Sequence, residues 1–185
     1  MDLTVFAEWT KQDADRLRDL YVLLPVGAVI PGLDDSKKLT EKKREALYDV
    51  IKETAVSYGI AFASEKEIDE MNILNATFLA MKRAVEKLGV KPDLALIDGN
   101  QKPHTGINEV TVIKGDGKSM SIAAASVLAK VTRDRYMLEL DKKYPQYEFK
   151  KHKGYGTKLH YEKLLEYGIS DVHRKTFLKN LEDKR

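Results

Sequence analysis

Apolar positions recur along this chain in two rhythms, and the places where the rhythm changes mark out its elements. Leu47, Val50, Ile51 and Ala55 fall three and four residues apart in a charged background, predicting a helix from Leu39 that ends near Gly59. GIAFAS, residues 59–64, then reads as a short strand. Met71, Leu74, Phe78, Met81, Val85 and Leu88 form one stripe of a second helix, with Gly89 as its stop and Pro92 beyond. DLALID, residues 93–98, is an apolar run bounded by Pro92 and Gly99, which predicts a buried strand. In EVTVIKGD, Val110 and Val112 alternate ahead of Gly115 and Asp116, predicting another. SIAAASVLAKVTRDRYMLELDKKY reads as a long helix with small residues on its first turns, ended by Tyr144 and Pro145. KKHKGYGT is a basic, glycine-flanked loop, and LHYEKLLEYG a short helix closed by Gly168. Strands alternating with helices predict an α/β layered domain without internal repeats or linkers.

Composition narrows the class. At 185 residues, 43% hydrophobic and 33% charged, the chain is sized for one domain with a real core, and a second is not expected. It has no apolar run of about 18 residues and no basic-then-apolar start, so neither a membrane span nor export is expected. The absence of cysteine excludes disulfides and thiolate metal sites and fits a reducing compartment, with the cytoplasm as the default. A net charge of +3 is too small by itself to announce a nucleic-acid partner. Basic residues nevertheless cluster, at Lys37, Lys38, Lys42, Lys43 and Arg44 and again at Lys150, Lys151, His152 and Lys153. Each cluster lies beside a turn signal where a phosphate can be met; the alternative is two solvated faces.

Asp98 and Asp116 are the strongest candidates for chemistry. Each follows an apolar strand beside glycine, which frees the backbone to leave the sheet and bring a carboxylate to its edge. Two carboxylates converging at strand ends can hold Mg²⁺ or Mn²⁺ for phosphoryl transfer, and the alternative is that both are turn formers. The four histidines, His104, His152, His160 and His173, show no zinc-ligand spacing, and His160 is expected to pack on its helix. Walker and nucleophile-elbow glycine patterns are absent. Tyr155, held between Gly154 and Gly156 beside lysines, is placed either to stack on a sugar or base or to cap the core.

Taken in order, GLDDSKKLTEKKREALYDVI, EIDEMNILNATFLAMKRAV, LIDG, VIKGDGKSMSIAAASVLAKVTRDR, HKGYGT and HRKTF resemble the bacterial ribonuclease HII family, from about Leu23 to Phe177. The resemblance implies a ribonuclease H-like α/β fold with a mixed central sheet flanked by helices. It also implies metal-dependent cutting of the RNA strand in RNA–DNA hybrids, and at single ribonucleotides in duplex DNA, leaving 3′-hydroxyl and 5′-phosphate ends. Of the four acids that hold Mn²⁺ or Mg²⁺ in that family, one falls on Asp98 and one on Asp116. The family's junction-recognising tyrosine falls on Tyr155, and Lys37 and Lys38 of the DSKKL segment are expected to meet backbone phosphates. Discrimination of RNA from DNA then rests on the 2′-hydroxyl. A monomer is implied.

The other two family acids are an adjacent Asp-Glu in a pattern like GVDEAGRGPLAGPV, just upstream of the LLP segment. This chain instead reads AEWTKQDADRLRDLYV, in which Leu17, Leu20, Tyr21 and Leu24 suit a small amphipathic helix. The genetic code offers another origin. The single tryptophan codon at Trp9, followed by Thr10, forces GAC in the shifted frame, an aspartate. Permitted codons from Thr10 onward then spell EAGRGPLAGPV. Residues 9–21 are therefore identified as a frameshifted reading of the catalytic strand and glycine loop, with the frame restored near Val22 after loss of a few residues. The expectation is an aberrant segment over 1–22, a first strand missing or disrupted, and a ribonuclease HII-like domain with a C-terminal helical region over 23–185. Asp13, Asp15, Arg16, Arg18 and Asp19 should make the segment sit outside the core or disrupt it, and the literal chain should be inactive and poorly stable. Competing readings are a non-catalytic hybrid-binding protein and a basic scaffold without a nucleic-acid role. LKNLEDKR at the end is a charged tail with no assigned function.

Overall fold

The computed structural model describes residues 4–8, 18–25 and 27–178, with side chains from Val22 onward. Its frame is a five-stranded sheet in the order β3-β2-β1-β4-β5. The strands are β1 (Thr4–Glu8), β2 (Arg18–Leu23), β3 (Ser57–Phe62), β4 (Leu94–Asp98) and β5 (Asn108–Val112). β1 runs parallel to β4 and β4 to β5, whereas β2 is antiparallel to both β1 and β3, so the sheet is mixed as expected. The expectation of a missing first strand is corrected: Thr4–Glu8 is the middle strand, in register with Leu94–Asp98. An apolar stretch flanked by strands on both sides finds a ladder partner along each edge, which is what a central strand requires. β2 crosses the position where the family-like sequence begins, so Leu20 and Tyr21 lie in a strand and not in an amphipathic helix. Residues 9–17 and the tail beyond Leu178 lie outside the described residues.

Alternation along the strands sends neighbouring side chains to opposite faces. Val22 packs with Tyr48 and Ile51 of α1 (Glu41–Thr54) and with Leu128 and Val131 of α4 (Met120–Lys143). Leu23, Ala61, Ala95 and Ile97 pack on the other face against Met81 and Ala84. The stripe read as one helix is divided into α2 (Glu65–Met71) and α3 (Ile73–Glu86). Asn72, at φ +72°, ends the first and caps the second by accepting the Asn75 N–H. α2 begins with a reciprocal cap between Ser64 and Glu67. Ser121 through Ala129 of α4 are all buried, so its small residues do bring it close against the sheet.

Gly59, read from sequence as a helix stop, lies inside β3 opposite Tyr21. A Cβ there would stand 1.9 Å from the Ala84 carbonyl oxygen of α3, so close approach of helix to strand is what demands glycine.

The C-terminal lobe is built on the far half of α4. Met137 and Leu140 pack with Tyr147, with Phe149 of α5 (Phe149–His152) and with Leu164 of α6 (Lys158–Tyr167). His152, His160 and His173 are buried among these rings. Burial, reinforced by His152 and Arg174, holds the His173 pKa down to about 4, and burial also lowers that of His152. Glu67 is held at about 2, chiefly by its hydrogen bond from Arg83.

Gly59→Ala should destabilise the fold by about 1–3 kcal/mol in denaturant titrations, while Gly117→Ala, which meets nothing within 4 Å, should change little. Equal effects would refute the close-packing account. An unfolded histidine near 6.5 accepts a proton that His173 refuses until about 4. Its contribution to stability is fully present above pH 6.5 and lost as pH falls toward 4; the Glu67 contribution is lost only below the ordinary 4.5, toward 2. The melting temperature should therefore drop between pH 6.5 and 4, and His173→Gln should flatten that drop. A profile that His173→Gln leaves unaltered contradicts the assignment.

Candidate active site

Asp98 ends β4 with only 1% of its surface exposed. Its Oδ1 accepts the Gly115 N–H at 2.7 Å, and the adjacent Gly99 N–H donates to the Val112 carbonyl at 3.1 Å, tying the ends of β4 and β5 together. After β5, Lys114 at φ +56° turns the chain into a short 3-10 turn, Gly115–Gly117, which leads into α4. A Cβ on Gly115 would stand 2.4 Å from Ile122 Cδ1 and 3.3 Å from the Asp98 carboxylate, so glycine lets the turn approach this closely without moving the Ile122 side chain. The Asp98 carboxylate thus holds the backbone one residue before Asp116, whose own carboxylate accepts the Gly117 N–H at 2.9 Å. The β-ladder places Glu8, at the end of β1, in register with Asp98.

A third acid at this corner was missed in the sequence. Burial raises the Asp116 pKa, the Asp35 carboxylate raises it further, and the Gly117 N–H and Lys37 oppose them. Asp35 is held by its own turn, accepting the Lys37 N–H at 2.8 Å, while Asp34 accepts the Asp35 N–H at 2.7 Å and takes Lys38 Nζ at 3.2 Å. Arg44 of α1 pins this loop by donating to the Ser36 carbonyl at 2.9 Å and to that of Leu39. Its guanidinium also faces Asp134 of α4 at 3.8 Å, which takes Lys130 at 2.6 Å. Lys37 and Lys38 are thereby carried beside Asp116, and the charges of both act on it. Arg44, counted in the same basic cluster, is spent inside the fold. The doubled aspartate ahead of SKK was the available signal for Asp35.

Tyr155 lies against the middle of α4, beside Arg133. Lys153 and Gly154, at φ +52° and +81°, reverse the chain after α5. The Tyr155 N–H donates to the His152 carbonyl at 2.8 Å, and its own carbonyl accepts the Thr157 N–H at 2.8 Å. Arg133 of α4 lies over the tyrosine ring, 5.7 Å from its centroid, and donates to the Lys153 carbonyl at 2.7 Å. Lys150 and Lys151 of the second basic cluster face Asp141 and Glu148 of their own lobe.

Asp98 and Asp116 offer oxygen donors suited to a hard divalent cation. Among the described residues, however, no group of three or more His, Asp or Glu side chains is arranged to hold a metal ion. Mg²⁺ asks for about six oxygens, and a pair of ions for more carboxylates than these two. The described donors fit part of a two-ion site and not the whole. No helix among the described residues is long and apolar enough to cross a membrane.

The sequence model of the family described as Ribonuclease HII matches residues 30–180. Ribonuclease HII of Endomicrobium trichonymphae is 59% identical over 157 residues, covering 84% of this chain and 75% of that protein. That of Caldicellulosiruptor bescii is 56% identical over 153 residues, 83% and 74%. The fold resembles the crystal structure of ribonuclease H2 from Pyrococcus horikoshii OT3, with a TM-score of 0.77 at 23% identity over 98% of each chain. It also resembles RNase HII from the PCNA:RNase HII complex of Archaeoglobus fulgidus, with a TM-score of 0.75 at 22% identity over 100% of this chain and 97% of that one. Bst-RNase HIII in complex with Mn²⁺ gives a TM-score of 0.64 at 13% identity, over 90% and 63%. At these identities the solved structures speak for the ribonuclease H-like fold alone; the sequence matches go further. The carboxylate corner, its lysine loop and the tyrosine loop all fall within the matched span, and the chain belongs to the ribonuclease HII family of hydrolytic endonucleases.

Proposed function

We propose that this architecture serves endonucleolytic cleavage of the RNA strand in RNA–DNA hybrids, and of single ribonucleotides in duplex DNA, giving 3′-hydroxyl and 5′-phosphate ends with Mn²⁺ or Mg²⁺. The observation that supports the reading is the Asp98–Gly115 hydrogen bond, which holds the turn carrying Asp116 against the end of β4, with the charges of Lys37 and Lys38 acting on Asp116. Asp98 and Asp116 are the metal-holding acids in this reading. Lys37 and Lys38 meet backbone phosphates, which fixes register without reading bases. Tyr155, stiffened by Arg133, packs against the sugar at the RNA-to-DNA junction. The protein acts as a monomer in the cytoplasm.

The chain as written is inactive or strongly impaired. The family model's match begins at residue 30, and AEWTKQDADRLRDLYV stands where the family's Asp-Glu and Gly-Arg-Gly are expected. On this reading residues 1–22 carry the aberrant sequence and 23–185 the family's own, while β1 and β2 complete one sheet with the rest. Two carboxylates of four do not fix two ions and a water. Retention of Tyr155 and the Lys37–Lys38 loop favours a second reading, a protein that still binds hybrids without cutting them.

With Mn²⁺, cleavage of a hybrid by this polypeptide should fall at least about a thousandfold below that of the same chain with GVDEAGRGPLAGPV restored, the equivalent of roughly 4 kcal/mol of lost transition-state stabilisation. Comparable rates would refute the impairment. Asp98→Asn in the restored chain should abolish the recovered activity. Hybrid binding should weaken steeply with salt, and Lys37→Ala or Lys38→Ala should each reduce the slope of log affinity against log salt by about 1. Salt-independent binding would rule out the phosphate-contact role.

A further inference from the structure

The three buried histidines of the C-terminal lobe have no part in the chemistry above, yet their hydrogen bonds lead to Tyr155. Hydrogen-bonding partners fix which nitrogen of each ring carries the proton, since a backbone N–H can only donate. His173 Nδ1 faces the Ser170 N–H at 3.0 Å and the Ser170 hydroxyl at 2.8 Å, so it accepts, and the ring proton sits on Nε2. That proton points at His160 Nε2, 3.3 Å away, which must accept it. The His160 proton is therefore on Nδ1, 2.9 Å from the Tyr155 carbonyl oxygen. His152, stacked on His160 at 4.2 Å between centroids, accepts the Gly154 N–H on Nδ1 at 3.2 Å and donates from Nε2 to the Tyr147 carbonyl at 2.7 Å. The donors run in one direction, from Ser170 through His173 and His160 to the backbone of Tyr155.

We infer that His160 is a positioning residue for Tyr155, and that the His173–His160 relay ties the junction-recognition loop to the turn at 170–173. The inference rests on the proposed role of Tyr155. The peptide ahead of the tyrosine is fixed by the His152 carbonyl, and the one after it by Thr157 and His160 together, so only side-chain torsions remain to aim the ring over Arg133. Without the His160 donor, the Tyr155 carbonyl keeps a single partner, and the Gly154–Tyr155–Gly156 segment regains the freedom that its glycines allow. Sequence hides this because positions 152, 160 and 173 share no ligand-like spacing.

A long-range proton–nitrogen NMR spectrum of the full chain should show His160 as the less common Nδ1–H tautomer, and His152 and His173 as Nε2–H. An Nε2–H tautomer at His160 overturns the relay, whatever the chain binds. Asparagine mimics a ring with its donor at Nδ1, and glutamine one with its donor at Nε2. The functional readout is the ratio of dissociation constants for an all-DNA duplex and the same duplex carrying one ribonucleotide, in Mg²⁺. His160→Asn should keep that ratio, while His160→Gln should reduce it roughly three- to tenfold, the worth of one ordinary hydrogen bond. A merely structural histidine would lower the melting temperature in both variants and leave the ratio alone. If Tyr155→Ala lowers the ratio and folded His160→Gln does not, the positioning role is wrong while the role of Tyr155 stands. If Tyr155→Ala itself leaves the ratio intact, the recognition role of Tyr155 fails and the positioning claim falls with it. Should His160→Gln not fold, the tautomer in the unaltered chain decides.

Discussion

A single hydrogen bond, from the Gly115 N–H to a carboxylate oxygen of Asp98, sets the geometry on which the site depends. It joins the end of a central parallel strand to the turn after its neighbour, in a spot where Asp98 is almost wholly buried. A buried carboxylate is costly unless polar groups answer it, so the fold must keep the turn against it. The absence of a Cβ at residue 115 lets the turn come that near with Ile122 in place. Asp116, one residue on, is therefore placed by the solvation needs of Asp98. The same constraint fixes where α4 begins, and with it the rest of the site.

α4 is the common support. Its first turn follows Asp116, its middle carries Asp134, which holds Arg44 and through it the lysine loop, and Arg133 next to that aspartate holds the tyrosine loop. Three candidate segments distant in sequence are thus referred to one helix packed on the sheet. Charged side chains inside such an arrangement contribute geometry more than stability, because their desolvation offsets most of what their pairing returns. Arg44 illustrates the point. It came from the group of basic residues that suggested phosphate contact, and its work is internal.

Elements with a strong period were legible in the sequence: α1, α4, α6, β4 and β5 stand where their patterns put them, within the few residues that caps and turns decide. The break at Asn72 was hidden because the apolar stripe runs on through it, and only a left-handed backbone with side-chain capping interrupts the helix. Gly59 was misread because a glycine that stops a helix and one that admits a neighbouring helix look alike in one dimension. Asp98, Asp116 and Tyr155 were visible because turn glycines flank them. Asp35 and the histidine relay were not, since their meaning comes from tertiary neighbours that no local spacing encodes.

The amino-terminal segment separates two demands that are usually met together. A β-ladder is made by backbone groups, which every residue but proline supplies in full, so β1 and β2 pair on both sides although the family's sequence match starts only after them. Metal chemistry is made by particular side chains at particular register positions and tolerates no such substitution. Register places Glu8 beside Asp98, at the edge where the family's first-strand acids are expected. Under the proposed function, a strand without the adjacent acid pair and the glycine loop that follows it completes the sheet but does not complete the ion site. On the proposed reading the fold outlasts the chemistry because sheets are specified by pattern and active sites by identity.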